Sequence, residues 1–184
     1  MAFRKLDETL LHRGHAISLV EAQIEGPDGR CFTRDIVHHP GAVSVVAVDD
    51  EHRAVLVRQY RAAVDAEVLE IPAGKRDVEG EPPAATALRE LAEEVGLEAD
   101  HVELLAEFYN SPGFSDEHSF TYLATGLTSC DTAPVGPEEE AMQIVRIAVD
   151  DVPDLIAAGE LTDAKSIIGL LLARERLAQP TKEQ

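Results

Sequence analysis

Residues 74–97 read GKRDVEGEPPAATALRELAEEVGL, and the rest of the chain is best interpreted outward from them. Pro82 and Pro83 are typical of a helix start, where a missing backbone N–H is tolerated. Apolar residues then recur at helical spacing as far as Val95, and Gly96 is typical of a helix end. The pattern therefore predicts an amphipathic helix between the two prolines and Gly96.

Three glutamates lie on one face of this predicted helix, because Glu93 and Glu94 follow Glu90 by three and four positions. Like charges at this spacing destabilise a helix unless a cation lies among them. Arg89 supplies a single positive charge against these three and Glu81. A hard divalent cation such as Mg²⁺ would balance the excess, since it prefers oxygen ligands. The alternative is a solvated acidic helix face, which composition alone favours.

The order of the residues favours the cation. The pattern E-x7-R-E-L-x-E-E-x-G-L runs from Glu81 to Leu97 and resembles the Nudix box of the nucleoside diphosphate hydrolases. In that family five residues separate a glycine from the first glutamate, whereas six separate Gly74 from Glu81 here. This one-residue insertion precedes the helix and leaves the spacing of the carboxylates unchanged.

Composition limits the class of partner. The chain has 184 residues, 45% hydrophobic and 28% charged, which is typical of one globular domain with or without a small appendage. Its formal net charge is −19. Because binding to nucleic acid needs a basic surface, we expect no nucleic-acid partner. A small phosphorylated ligand bridged by a metal ion is still compatible with this charge.

The sequence gives no sign of membrane insertion or export. The longest apolar runs, residues 43–48 and 167–173, are too short to span a bilayer. Residues 1–10 lack the apolar segment of a signal peptide. Cys31 and Cys130 lie far apart and are expected to be free thiols. We therefore expect a cytoplasmic protein without a membrane partner.

The chain divides on pattern into an N-terminal hairpin, residues 1–40, a main domain, residues 41–178, and a frayed tail, residues 179–184. Two extended segments, residues 15–24 and 31–38, flank the turn sequence Gly-Pro-Asp-Gly at 26–29. Two strands alone are marginally stable in water, so we expect the hairpin to pack against a second copy of the chain.

The main domain mixes strands and helices in an order that is neither regular βαβ nor all-β. Strands are predicted at residues 42–48, 54–60, 68–72, 102–109, 120–125 and 142–149, with further helices at 150–158 and 163–177. Residues 128–140 are predicted to be a long polar connection. With the resemblance above, this order predicts an α/β fold: a Nudix-type α/β/α sandwich with a mixed sheet.

A second resemblance concerns the substrate. Pro112 lies fifteen positions after Leu97 in SPGFSDE, residues 111–117, and is similar to the mark of the ADP-ribose pyrophosphatase branch. The segments TRDIV, VRQYR, EIPAG and DAKSIIGLLLA resemble that branch in the same order, so the likeness covers about residues 10–177. Taken singly, Pro-Gly at 112–113 indicates only a turn.

The resemblance implies a metal site around the box. Glu90 and Glu94 would be direct ligands, with Glu93 beside them. The carbonyl of Ala73 would complete the site, at a backbone kink that Gly74 permits. The metal implied is Mg²⁺, with Mn²⁺ as the alternative.

The resemblance also implies supporting residues and a general base. Glu81 would be an additional ligand or would support the ligands, and Arg89 would orient the carboxylates. Related enzymes take a base from the loop before the last core strand, which here ends in Glu138, Glu139 and Glu140. We favour Glu139; the alternative for each of the three is a solvated surface residue.

For the substrate, the resemblance implies contacts from Arg34 and Arg61 to the adenosine or phosphates. Arg34 would come from the partner subunit, because the family exchanges its hairpin across a homodimer. Phe114 would stack on the base, Glu117 would help to hold the ribose or the metal, and Gly74 would border the substrate.

Together these resemblances predict metal-dependent hydrolysis of ADP-ribose, or a similar nucleoside diphosphate sugar, to AMP and ribose 5-phosphate. Two alternatives are another nucleotide sugar as substrate and a Nudix-like sensor that binds a nucleotide without cleaving it. A third is a purely structural acidic protein. The presence of every box carboxylate favours catalysis.

Overall fold

The computed structural model of the chain describes residues 2–133 and 137–179, without the side chain of Glu138. The predicted frayed tail lies outside the described residues except for Gln179. The chain forms two compact units. The first comprises Met1–Ala42 with Phe108–Ser119, and the second comprises Val43–Glu107 with Phe120–Gln184.

The first unit contains an antiparallel sheet of three strands in the order β1 (Arg4–Arg13), β2 (Ser18–Glu25) and β3 (Cys31–His38). The predicted hairpin corresponds to β2 and β3, and the turn between them is closed by the Gly26 N–H, which donates to the Arg30 carbonyl at 2.8 Å. Strand β1 was not predicted. Its pairing with β2 shifts register twice, so its side chains do not keep the regular alternation by which a strand is recognised.

A histidine at the end of β3 joins this sheet to the SPGFSDE loop. The Val37 N–H donates to the Phe114 carbonyl at 2.7 Å, which sets the loop beside the strand. Nδ1 of His38 lies 2.5 Å from the Asp116 carboxylate, and Nε2 lies 3.1 Å from Glu8. Hydrogen bonds to Asp116 and then Glu8 raise the pKa of His38, so its charged form is favoured.

The second unit is built on a mixed seven-stranded sheet in the order β10-β5-β4-β9-β8, with β6 paired to β5 and β7 paired to β4. Its strands are β4 (Ala42–Val48), β5 (Arg53–Arg61), β6 (Ala66–Glu70), β7 (Ala73–Lys75), β8 (Leu97–Tyr109), β9 (His118–Ser129) and β10 (Gln143–Ala148). The helices are α1 (Pro83–Val95), α2 (Pro137–Glu140), α3 (Val152–Ala157) and α4 (Ala164–Ala178), with a 3-10 turn at Val149–Asp151.

Both faces of the sheet are covered, as strand β4 demonstrates. Val43, Val45 and Ala47 belong to a core cluster with the apolar side of α1. Val46 and Val48 belong to a second cluster with residues of α3 and α4. Because successive side chains of a strand point to opposite faces, the uninterrupted apolar run of β4 serves two cores. The predicted α/β/α sandwich is confirmed.

Several further elements differ from the sequence prediction: strand β7 was not predicted, and strand β9 runs from His118 to Ser129 rather than from 120 to 125. Strand β8 begins at Leu97, directly after the helix, rather than at residue 102. The predicted polar connection at 128–140 ends in the short helix α2, after which the Met142 N–H donates to the Glu139 carbonyl. Among the described residues, no helix is long and apolar enough to cross a membrane.

Candidate active site

Helix α1 places the acidic residues of the box. It begins with Pro83 and ends at Gly96, whose backbone is left-handed with φ 65° and whose N–H donates to the Ala92 carbonyl at 3.0 Å. Its apolar side, including the fully buried Ala87 and Leu91, packs on the sheet. The helix predicted from the sequence is therefore present, and its register fixes where the carboxylates lie.

Arg89 gathers three of these carboxylates around one guanidinium group. Its Nη1 lies 2.8 Å from Glu93 and 3.0 Å from Glu90. Its Nε and Nη2 donate to the two oxygens of Glu81 at 3.4 and 3.3 Å. Although burial opposes the charge, the hydrogen bond to Glu81 and the negative charges of Glu90 and Glu93 raise the pKa of Arg89. Arg89 therefore orients the acidic side chains, as the resemblance implied.

Glu94 is the most buried carboxylate of the site, with 7% of its surface exposed. It accepts a hydrogen bond from the Ala73 N–H at 3.0 Å. Burial raises its pKa to about 8, and the charges of Glu90 and Glu139 act in the same direction. Burial also raises the pKa of Glu90, to which Glu93 and Glu139 contribute. Three carboxylates, Glu90, Glu94 and Glu139, therefore lie within electrostatic reach of one another.

Glycine at residue 74 leaves room for the side chain of Glu90. A Cβ atom at residue 74 would lie 1.9 Å from Cδ of Glu90 and 2.2 Å from its Oε1. The φ angle of Gly74 is not in the left-handed region, and the backbone kink that we expected there stays a prediction. A side chain at residue 74 would occupy the space that the Glu90 carboxylate fills.

The acidic triplet before β10 lies on α2. Glu139 is partly buried, and its charge raises the pKa of both Glu90 and Glu94. Glu140 is exposed, and the side chain of Glu138 lies outside the described residues. Of the two described side chains, Glu139 is the one that acts on the carboxylates of α1.

Comparison with known proteins decides the family. The NUDIX domain family matches residues 38–168, which is most of the chain and includes α1, β7 and α2. The chain belongs to the Nudix family. It is a Nudix hydrolase, a member of a class of enzymes that act on nucleoside diphosphate compounds.

Relatives of this Nudix hydrolase cover most of its length. A methanol dehydrogenase activator from Bacillus methanolicus is 39% identical over 85% of this chain and 84% of the relative. An ADP-ribose pyrophosphatase from Bacillus subtilis is 39% identical over 83% of this chain and 82% of the relative. A crystal structure of an ADP compounds hydrolase superposes with a TM-score of 0.82 at 23% identity, covering 96% of this chain and 95% of that one, which supports the fold.

The Nudix site has a neighbouring ion-pair network that the sequence did not predict. Arg61 donates two hydrogen bonds to Glu70, at 2.6 and 2.7 Å. Lys165 contacts the same carboxylate and lies 2.9 Å from Asp163. The side chain of Glu70 is only 3% exposed. Burial alone would raise the pKa of Glu70, but the hydrogen bonds of Arg61 and the charge of Lys165 lower it.

One part of this network had a readable sequence signal. Asp163 precedes α4 and accepts the Ser166 N–H at 2.9 Å, which is the pattern of a helix N-cap with a serine three residues later. The pairing of Lys165 with Glu70 had no such signal. The two residues are 95 positions apart and meet only through the fold.

The remaining predicted substrate residues lie in the first unit. Arg34 is on β3, where its Nη1 donates to the Thr33 carbonyl at 2.8 Å and its guanidinium lies 4.6 Å from the centre of the Phe32 ring. Phe114 is exposed, and the Glu117 N–H donates to the Ser115 hydroxyl. Their contacts to a substrate stay a prediction.

The carboxylates of this Nudix hydrolase are chemically suited to a hard cation, but among the described residues they do not form a preformed metal site. Among the residues that the structure describes, no three His, Cys, Asp or Glu side chains are arranged to hold a metal ion. Arg89 now engages Glu90 and Glu93, and the Ala73 N–H holds Glu94. The donors are nonetheless all hard oxygens with an excess of negative charge, which is the ligand set that Mg²⁺ or Mn²⁺ prefers.

Proposed function

We propose that this Nudix hydrolase is a divalent-cation-dependent pyrophosphohydrolase that cleaves ADP-ribose to AMP and ribose 5-phosphate. The observation that carries the proposal is the electrostatic interaction among Glu90, Glu94 and Glu139: the charge of Glu139 on α2 raises the pKa of both carboxylates on α1. The name of the Bacillus subtilis relative, an ADP-ribose pyrophosphatase, supports this choice of substrate.

The cation would be held by the carboxylates of Glu90 and Glu94 and by the Ala73 carbonyl, with Glu93 and Glu81 beside them. When bound, Mg²⁺ or Mn²⁺ supplies charge neutralisation of the pyrophosphate and lowers the pKa of a water molecule. Glu90 would then exchange its contact with Arg89 for the cation.

The proton of the attacking water would pass to a carboxylate. Glu139 is our candidate, because its charge reaches both Glu90 and Glu94 and its side chain is only partly buried. Attack of the water oxygen on one phosphorus breaks the P–O bond to the bridging oxygen. The bridging oxygen leaves with the other phosphate, so both products are phosphate monoesters.

Arg61 and Arg34 would bind the phosphates or the adenosine. Phe114 would stack on the base, and Glu117 would help to hold the ribose or the metal. Gly74 would border the substrate. In this proposal residues 1–40 are exchanged across a homodimer, so that Arg34 serves the partner's site. A chain that stays monomeric in sedimentation experiments would remove the role of Arg34 but leave the carboxylate chemistry intact.

A coupled phosphatase assay tests the reaction. Alkaline phosphatase releases phosphate from AMP and ribose 5-phosphate but not from intact ADP-ribose, so phosphate appears only after pyrophosphate cleavage. We expect phosphate release from ADP-ribose with Mg²⁺ or Mn²⁺ and none in EDTA. A panel of other nucleoside diphosphate sugars ranks the competing substrates.

This assay and a direct measurement of ADP-ribose binding together separate the alternatives. A nucleotide sensor would bind ADP-ribose without releasing phosphate, and a structural acidic protein would do neither. The matched controls are Glu94→Gln, which we expect to be inactive, and Glu103→Gln, which alters an exposed glutamate paired with Arg176 and should match the parent. Full activity in Glu94→Gln would contradict the assignment of the ligands.

A further inference from the structure

We infer that Lys165 is a positioning residue of the hydrolase: through Glu70 it fixes Arg61 beside the buried end of the carboxylate cluster. The inference rests on the proposed function, because it assigns Arg61 to the phosphates of a nucleoside diphosphate sugar. It adds a residue of α4 that does not itself touch the substrate.

Glu70 occupies a buried position between two positively charged side chains. Its carboxylate ends β6 and lies between two cations, Arg61 on β5 and Lys165 on α4. Arg61 uses Nε and Nη2 for the two oxygens of Glu70, so its planar guanidinium is held in one orientation. Because the Glu70 side chain is only 3% exposed, water cannot easily replace either Arg61 or Lys165 as a partner of the carboxylate.

Arg61 is linked to the carboxylates of α1 through Glu94. Arg61 and Glu94 are close enough for each charge to shift the pKa of the other. The hydrogen bonds to Glu70 use Nε and Nη2 of Arg61, and within the described residues they leave Nη1 for a substrate phosphate. Glu70 fixes the orientation of the Arg61 guanidinium, and this orientation determines where the Nη1–H groups point.

Lys165 is itself held in place by residues at the start of α4. Lys165 lies 2.9 Å from Asp163, and the same carboxylate accepts the N–H and hydroxyl of Ser166 at 2.9 and 2.5 Å. The Ser166 hydroxyl accepts the Ile71 N–H at 2.8 Å. The start of α4 thus holds the chain immediately after Glu70, two residues before Ala73.

Without the ammonium group, the Glu70 carboxylate would lose one of its two described cations, and its rotation would carry along the guanidinium that it holds at 2.6 and 2.7 Å. A displacement of a binding group by about 1 Å is enough to change the rate or affinity by up to about 100-fold. The chemical step itself uses the carboxylates, which Lys165 does not contact among the described residues. The loss should therefore appear in KM more than in kcat.

The test compares the full-length parent with Lys165→Met, Lys165→Gln and Lys165→Arg. We expect Lys165→Met to raise the KM for ADP-ribose about tenfold with kcat within about twofold, and Lys165→Gln to raise KM by about threefold. Lys165→Arg keeps the charge and should stay within about twofold of the parent. The control Lys5→Met removes an exposed lysine paired with Glu8 and should leave both constants unchanged.

A binding measurement provides a readout that does not need turnover. Calorimetric titration with the non-hydrolysable α,β-methylene analogue of ADP-ribose should show a weaker Kd for Lys165→Met in proportion to its KM. In an Arg61→Lys background the same change should have less than about a twofold effect, because the oriented fork is already lost. An equal effect in both backgrounds would mean that Lys165 acts only on stability, and would overturn the inference.

The outcomes separate the two proposals. If the parent neither hydrolyses ADP-ribose nor binds the analogue, the proposed function fails and the inference fails with it. If the parent does both and Lys165→Met or Lys165→Gln matches it, only the inference fails. Should Lys165→Met not fold, as judged by circular dichroism, the expected rise in KM for Lys165→Gln decides the question.

Discussion

Replacing Gly74 with alanine should abolish most of the activity while leaving the fold intact. The new Cβ would lie 1.9 Å from Cδ of Glu90 and 2.3 Å from its Cγ. Restoring an ordinary contact of 3.4 Å requires the Glu90 carboxylate to move by about 1.5 Å. A displacement of this size at a reacting centre lowers kcat/KM by about 100-fold, or about 2.7 kcal/mol of transition-state stabilisation. Stability should change little, since the displaced group is the end of a flexible side chain.

Gly80→Ala is the matched control from the loop that follows β7. Gly80 has φ +78°, and a Cβ atom added there would meet nothing within 4 Å. Alanine at this position therefore strains the backbone by about 1 kcal/mol without displacing a side chain. We expect Gly74→Ala to lose ADP-ribose turnover with little change in Tm. We expect Gly80→Ala to lower the Tm and to keep the turnover. Parental kcat/KM in Gly74→Ala would refute the reasoning. So would a 100-fold effect of Gly74→Ala that persists when Glu90 is already glutamine.

Two further predictions use other parts of the molecule. Because Asp116 and Glu8 raise the pKa of His38, the stabilisation by its charge is complete below the unfolded pKa of about 6.5 and is lost as the pH rises through the higher folded value. The Tm of the parent should therefore fall more between about pH 6 and pH 9 than that of His38→Gln, and equal slopes would contradict the stabilising role of the His38 contacts with Asp116 and Glu8. Glu139→Gln should lower kcat by about 10²- to 10⁴-fold, whereas the exposed Glu140→Gln should stay within about twofold of the parent. The reverse order of these two variants would assign the base to Glu140.

Much of the second unit was readable from local pattern. Pro83 and Gly96 bound the helix as predicted, because their effects act through their own backbone. The apolar run of β4 correctly indicated a strand buried on both faces. The spacing of Glu90 and Glu94 correctly placed them one turn apart on α1.

The features that were missed depend on contacts between distant residues. The reason for glycine at residue 74 that the structure shows is the approach of Glu90 from α1, which becomes visible only when β7 and α1 are packed. Glu70 reads as an ordinary strand residue, yet the fold buries it between Arg61 and Lys165. Strand β1 escaped detection because two register shifts interrupt its pattern.

The binding of Mn²⁺ to the protein alone tests the central claim most directly. Electron paramagnetic resonance reports free Mn²⁺ and so gives a Kd without any substrate or turnover. We predict that the parent binds Mn²⁺, that Glu94→Gln binds it at least about tenfold more weakly, and that Glu103→Gln matches the parent. A parent that leaves Mn²⁺ free, or a Glu94→Gln variant that binds it as tightly as the parent, would contradict the account.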